Sequence, residues 1–373
     1  MGKIPERCFC LAFLLILFVP FLFTNFKQNQ VSEIDNSYLP ELQWSEDTPV
    51  GDKINIIEKY LNMRIGFRDQ MLTMYQILND RLFHLMEHPL YMYGKNGYVY
   101  FKFWTYIADY QNLIPDQEYA DEFAREMKAF SDLSGEKGAK FYYLLIPDKK
   151  TIYPEYFPDG INKFDGVSRT EQILHSMSEE GVNWVYPYEA LMEGKQHRQV
   201  FNVKYDAGHW NDFGAFDAVC GLYQRLRIDF PEIPMLSEED YDISTDHVDS
   251  LLVSRFPIDE EVPVFTLKAS TAVSDSDWLN ENLDFSGGNY SRTRYVNPQK
   301  RGLPKFLLFH DSYFPGRELL FTENFSEVTF IDRSYLLGTK ELENILNVLK
   351  PDIVVFENPE RVIDLHFDVP KAE

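Results

Sequence analysis

Apolar positions along this chain follow two spacings. From Asn55 to Leu85, "NIIEKYLNMRIGFRDQMLTMYQILNDRLFHL" repeats them at the period of a helix face, and Gly66 divides the run into two helices. "YMYGKNGYVYF" follows, with two short aromatic runs about Lys95-Asn96-Gly97, the signature of a β-hairpin. Beyond it, helix-periodic segments alternate with wholly apolar ones. "DQEYADEFAREMKAFSDLSGEKG" predicts an amphipathic helix closed by glycines, "AKFYYLLIP" a strand, "SRTEQILHSMSEEG" a helix and "VNWVYP" a short strand. "NDFGAFDAVCGLYQRLRIDFP" predicts a helix opened by an Asn-Asp cap. After an irregular insert at about 235–300 the alternation resumes: "KFLLFHD" a strand, "PGRELLFTENF" a helix, "EVTFIDR" a strand, "TKELENILNVLK" a helix, "PDIVVFE" a strand. Five short strands without polar alternation, joined by helices, predict a parallel sheet buried on both faces, and so an α/β fold.

The N-terminus has a third pattern. Lys3 and Arg7 precede an apolar run from Cys8 to Phe23, about 16 residues, longer than a typical signal core and somewhat short of the ~20 of an ideal span. Thr24, Asn25 and Phe26 follow, with no small-residue cleavage site. Residues 1–27 therefore read as an uncleaved single-pass membrane anchor in preference to the alternative, a signal segment, with the flanking positive charges inside and the rest of the chain extracytoplasmic. Residues 28–52, polar and acidic with Pro40 and Pro49, read as a tether. A helical and hairpin segment packing on the main domain is expected over 53–105, and the main domain over 106–365.

Composition narrows the partners. The 373 residues are 45% hydrophobic and 16% aromatic, enough for one large or two smaller cores. A net charge of -23 and a pI near 4.7 oppose binding to nucleic acid or anionic lipid, and no basic stripe offsets them. Of three cysteines, Cys8 and Cys10 fall in the apolar run, leaving Cys220 alone. No disulfide is expected beyond the anchor, and no zinc-type spacing occurs, so no metal or cofactor is expected.

Parallel sheets bind ligands at the carboxyl ends of their strands. The candidate positions are Pro147-Asp148-Lys149-Lys150, His310-Asp311-Ser312, Asp332-Arg333 and Glu357-Asn358. Ser312 ends an apolar strand, where Asp-Ser is either an ordinary helix cap or a held nucleophile. A nucleophilic serine needs a base within about 3 Å, and the base needs an acceptor that fixes its tautomer. "KYDAGHWNDFGAF" offers both from one loop, Asp206 and His209, although His209 beside Trp210 also reads as a packed structural histidine. A backbone N–H at the start of the expected helix after Ser312 would serve as an oxyanion donor.

"HDSYF" resembles the Gly-Asp-Ser block of SGNH-type hydrolases, with His310 in place of Gly, and "DAGHWN" resembles their Asp-x-x-His block. Here the Asp/His block precedes the serine. That order, with the His-Trp pair, the N-terminal apolar segment, and "GFRDQ", "YGKNGYVYF", "YYLLIPDKKTIYPEY" and "DIVVFENPER", is similar to the alginate O-acetyltransferase-like family over about residues 55–362. Ala207 stands where that family often has its Asp, so the acid falls to Asp206. The resemblance implies an SGNH-like three-layer α/β/α sandwich. It implies Ser312 as nucleophile, His209 as base and acid, and Asp206 as orienter. It also implies an O-acetyltransferase acting on a polysaccharide, supplied by a membrane-bound O-acyltransferase partner. Arg333 is expected to polarise the acyl carbonyl or bind a sugar carboxylate, with a surface ion pair as the alternative. Lys149 and Tyr313 are expected to touch substrate, although Lys149 and Lys150 also read as solvated. An esterase using the same triad and a non-catalytic polysaccharide-binding module are the rival readings.

Overall fold

The computed structural model describes residues 6–32, 34, 37–252, 256–285, 288, 290–336 and 338–363. It divides into two compact units, Met1–Met92 with Val248–Glu260 and Tyr93–His247 with Glu261–Glu373. In the first unit, α1 (Glu6–Leu22) carries exposed apolar side chains such as Phe13, Ile16 and Phe18. Its 17 residues rise about 25 Å, short of a ~30 Å hydrocarbon core, and Pro20 lies in its last turn. Among the described residues no helix is long and apolar enough to cross a membrane, so the anchor expected over residues 1–27 is not confirmed.

Strands β1 (Val31–Ser32) and β2 (Ser37–Tyr38) pair antiparallel within the segment expected as a tether. That segment closes around one arginine. The buried Arg64 guanidinium donates to the carbonyls of Asn25, Lys27, Leu39 and Pro40 at 2.6–3.4 Å and pairs with Glu41 at 2.6 Å. Helices α2 (Val50–Arg64) and α3 (Arg68–Phe83) are the predicted pair, broken at Gly66. A Cβ on Gly66 would lie 2.4 Å from that of Phe23, so the end of α1 seats on this turn only because the residue is glycine. The unit ends in β3 (Tyr91–Tyr93).

The second unit opens with the predicted turn, where Asn96 and Gly97 take φ of 53° and 78° ahead of β4 (Val99–Phe101). Then come α4 (Trp104–Tyr110), α5 (Gln117–Glu136), β5 (Lys140–Ile146), α6 (Lys149–Ile152), α7 (Arg169–Glu179), β6 (Trp184–Val185), α8 (Tyr188–Lys195) and α9 (Asp212–Leu226). Side-chain caps start the longer helices: Asp116 for α5, a Ser168–Glu171 capping box for α7, and Asn211 for α9. The chain continues through β7 (Tyr241–Ser250), β8 (Pro257–Leu267), β9 (Val273–Ser274), α10 (Ser276–Asn282), β10 (Arg292–Val296), β11 (Lys305–His310), β12 (Glu327–Asp332), α11 (Thr339–Leu349) and β13 (Ile353–Pro359).

The main sheet runs β6-β5-β13-β11-β12-β10-β9. Its first five strands are parallel, and they are the five read from the sequence. Alternate residues serve opposite faces. Phe141, Tyr143 and Leu145 of β5 join Leu307, Phe309, Val354 and Phe356 in a core with α5, α7 and α11. On the other face Arg225 of α9 lies over Tyr142, while Phe306 stacks on Phe321 and Phe325. Side chains buried on both faces explain why these strands read as unbroken apolar runs.

Two expectations fail here. The insert is not irregular: β7 and β8 form a two-stranded sheet, and β9 and β10 extend the main sheet antiparallel past β12. Charge hid β10, because its buried Arg294 reads as polar in sequence yet pairs with Asp275 and with Glu327. No α-helix follows Ser312 either. Pro315 and Gly316, the latter at φ +81°, make turns that lead only to a single 3-10 turn at Glu318–Leu320. The helix dipole invoked for an oxyanion is therefore absent.

Candidate active site

The loop from Phe201 to Trp210 is pinched at its base by a β-bridge between those two residues, and Asn211 then caps α9. Inside it Asp206 folds the chain back on itself. Its Oδ1 accepts the N–H groups of Gly208 and His209 at 2.8 and 2.9 Å, and its Oδ2 meets His209 Nδ1 at 2.7 Å. A three-residue separation thus becomes a direct carboxylate–imidazole contact. Gly208 is required, since a Cβ there would lie 2.3 Å from the Phe101 ring. Burial resists ionisation of Asp206, but the His209 charge, ring N–H and backbone donors outweigh it and bring its pKa down to about 2.

Ser312 stands two residues past the end of β11. Asp311 shapes its turn, taking the Tyr313 N–H at 2.8 Å, while the Asp311 N–H donates to Glu357 Oε2 at 2.8 Å. The Ser312 side chain is exposed, and its Oγ lies 2.8 Å from His209 Nε2. With Nδ1–H donated to the Asp206 carboxylate, Nε2 is left as the acceptor for the serine proton. The structure thus brings together three residues spread over 106 positions of sequence. His310 does not disturb the turn. It is buried, bonds the Asp311 carbonyl through Nδ1 at 2.7 Å, and is held below its ordinary pKa by desolvation.

The expected substrate contacts are placed otherwise. Lys149 is wholly buried and donates to the carbonyls of Val99, Val203 and Asp206 at 2.8–3.0 Å, so it builds the His209 loop rather than meeting a ligand. Lys150 is buried against Asp109 at 2.7 Å and Asp148 at 3.2 Å, and is not solvated. Tyr313 is 2% exposed; its hydroxyl donates to the Gly208 carbonyl at 2.6 Å, making it a wall of the site. Arg333 is buried after β12 in the field of Glu357 and Tyr143, and so is not a surface ion pair.

A guanidinium beside the histidine belongs to Arg361, just past β13. Its Nη2 lies 3.2 Å from His209 Nε2, and its Nη1 donates to the Tyr313 hydroxyl at 2.8 Å and to Asp148. Asp148 is fully buried. Desolvation opposes its charge, but Lys150 and Arg361 hold its pKa below the ordinary value. Arg361 lies at the end of the "DIVVFENPER" segment. Its signal in the sequence is the same one that nominated Arg333, a charge just beyond a parallel strand. Glu357 lies beneath the serine turn, and burial first, then the Asp311 charge, push its pKa well above normal. Among the described residues no group of His, Cys, Asp and Glu is arranged to hold a metal ion.

This fold has counterparts. Bacillus cereus PatB1, solved with a sulfonyl adduct, superposes with a TM-score of 0.53 at 13% identity, covering 73% of this chain and 93% of that one. A second PatB1 structure gives 0.51 at 14% identity, covering 71% and 94%. A DHHW family protein from Eubacterium siraeum gives 0.50 at 17% identity, covering 66% and 86%. At these identities the likeness shows the fold. A search of curated protein sequences returns no match. Residues 101–261 match the family model described as "SGNH hydrolase-like domain, acetyltransferase AlgX", a stretch that includes Asp206 and His209 and ends before Ser312. Over that stretch the chain is similar to the SGNH hydrolase-like domain of the AlgX acetyltransferase family, in agreement with the resemblance read from the motifs.

Proposed function

We propose that this protein moves an acetyl group through Ser312 onto a hydroxyl of a polysaccharide outside the cytoplasm. The observation that carries the reading is the unbroken relay from Ser312 Oγ through His209 to Asp206, at 2.8 and 2.7 Å. His209 Nε2 takes the Ser312 proton as Oγ attacks the acetyl carbonyl. The tetrahedral intermediate collapses when the donor's leaving oxygen receives that proton from His209, leaving acetyl-Ser312. A sugar hydroxyl then gives its proton to His209 and attacks the acetyl carbon, and the proton returns to Ser312. Arg361 and the Ser312 N–H are the donors we assign to the oxyanion. Acetyl-CoA is not found outside the cytoplasm, so a membrane-bound O-acyltransferase is the proposed source of the acetyl group.

Exposure of Ser312 favours one rival, a deacetylating esterase in which water takes the acetyl group. Intact mass after incubation with an activated acetyl ester tests the shared half. Wild type is expected to gain about 42 Da, one acetyl group, and Ser312→Ala nothing. A sulfonyl fluoride is a second probe, suggested by the PatB1 adduct. Acetylated saccharide among the products identifies the transferase; free acetate alone identifies the esterase. No adduct and no ester turnover would return the protein to the non-catalytic reading.

A further inference from the structure

We infer that the second unit holds a distinct binding site for a neutral pyranose of a glycan chain, in the cavity bounded by the end of α4, α6, the start of α7 and the segment after β6. It rests on the reading that the protein works on a glycan. The cavity measures about 440 Å³, within the ~300–1,000 Å³ of small-molecule sites. Its floor is built from buried charge. Lys150, 2% exposed, faces Asp109 at 2.7 Å, Asp148 at 3.2 Å and Glu360 at 3.9 Å. Glu360, also buried, accepts from Thr170 at 3.1 Å, from the Tyr186 hydroxyl at 2.6 Å, from the Asp148 N–H at 2.9 Å and from Thr151. These bonds fix the floor before any ligand arrives.

The lining selects against charge. An anion would meet Glu171 and Glu360, and a cation would meet Lys150 and Lys163. What remains is a ring of hydroxyl, amide and carboxylate groups around an aromatic platform. Tyr186 is pinned by Glu360, and the Tyr188 ring lies parallel to it within 6°, centroids 5.8 Å apart. The Tyr188 hydroxyl makes no hydrogen bond among the described residues. A pyranose has this complementary form, an apolar C–H face with hydroxyls at its rim. Asp148 joins the cavity to the serine site. Its Oδ2 faces Lys150, and its Oδ1 takes Arg361 and the Tyr313 hydroxyl.

The test titrates cellohexaose, which is neutral, and hexamannuronate, which is anionic, into the full-length Ser312→Ala protein by calorimetry. Cellohexaose is expected to bind more tightly. Tyr188→Ala in that background should weaken it by roughly tenfold or more, while Tyr188→Phe, which keeps the ring, retains it. With Ser312 intact, Tyr188→Ala should hydrolyse a small acetyl ester at the parent rate. Equal binding with and without the Tyr188 ring, preference for hexamannuronate, or binding of neither saccharide would overturn the inference. Ring-dependent binding by a protein whose Ser312 never takes an acetyl group would leave this site standing and remove the transferase reading.

Discussion

At the scale of single residues, the proposed chemistry depends on proton position. Ser312→Ala or His209→Ala should remove nearly all turnover of an acetyl ester, on the order of 10⁶ where a triad acts as one unit. Asp206→Ala should cost less, on the order of 10⁴, because the ring can still reach the serine in the wrong tautomer part of the time. Full activity in Asp206→Ala would mean that the acid lies elsewhere. Arg361 makes a sharper prediction. Arg361→Ala should lower kcat by about 10²–10³, the usual cost of losing one oxyanion donor, with little change in KM. Arg361→Lys should recover only part of it, since an ammonium cannot hold His209, Tyr313 and Asp148 from one planar fork. A pure KM effect would show that Arg361 binds substrate and does not act on the transition state. Ser312, His209 and Asp206 were legible in the sequence because their chemistry requires those residue types in that relation. The work of Lys149 was not, because sequence reveals that a lysine follows a strand but not that its ammonium turns inward onto three carbonyls.

At the scale of elements, the ends of β11 and β13 carry the serine turn. Glu357 on β13 bonds the Asp311 N–H, and its carboxyl binds a proton more tightly than a free glutamate does. The folded chain therefore keeps a proton that the unfolded chain gives up above about pH 4.3, so this group lowers stability as pH rises. Glu357→Gln keeps the acceptor and discards the titration. In urea unfolding its stability relative to wild type should improve from pH 5 to pH 8, by up to ~1.4 kcal/mol per unit. Parallel curves would show that Glu357 is ionised in the fold. The parallel strands were readable because burial on both faces leaves no polar alternation. β10 was not, because Arg294 is neutralised by Asp275 and Glu327, partners no local pattern announces. The helix expected after Ser312 fails for a local reason: Gly316 at positive φ turns the chain out of helical geometry.

At the scale of the whole molecule, a net charge of -23 and the apolar surface of α1 belong to one chain. We propose that α1 attaches the protein to a membrane, assisted by tilt or local thinning that accommodates its short length. The native protein should then remain in the membrane fraction through an alkaline wash. Leu15→Arg, at a central position costing about 2.5–3.5 kcal/mol in a span, should release it. A native protein that washes off would end the proposal.

The exposed position of Ser312, at the mouth of a strand end and not at the bottom of a tunnel, has a consequence for the polymer. If the acceptor is a glycan, as proposed, it needs no free terminus to reach this serine. Any stretch of such a chain could lie across the surface, receive its mark and lift away. Modification would accordingly be scattered through the interior of long chains, set by encounter and not by counting from an end. The distribution of acetyl groups would then be independent of polymer length.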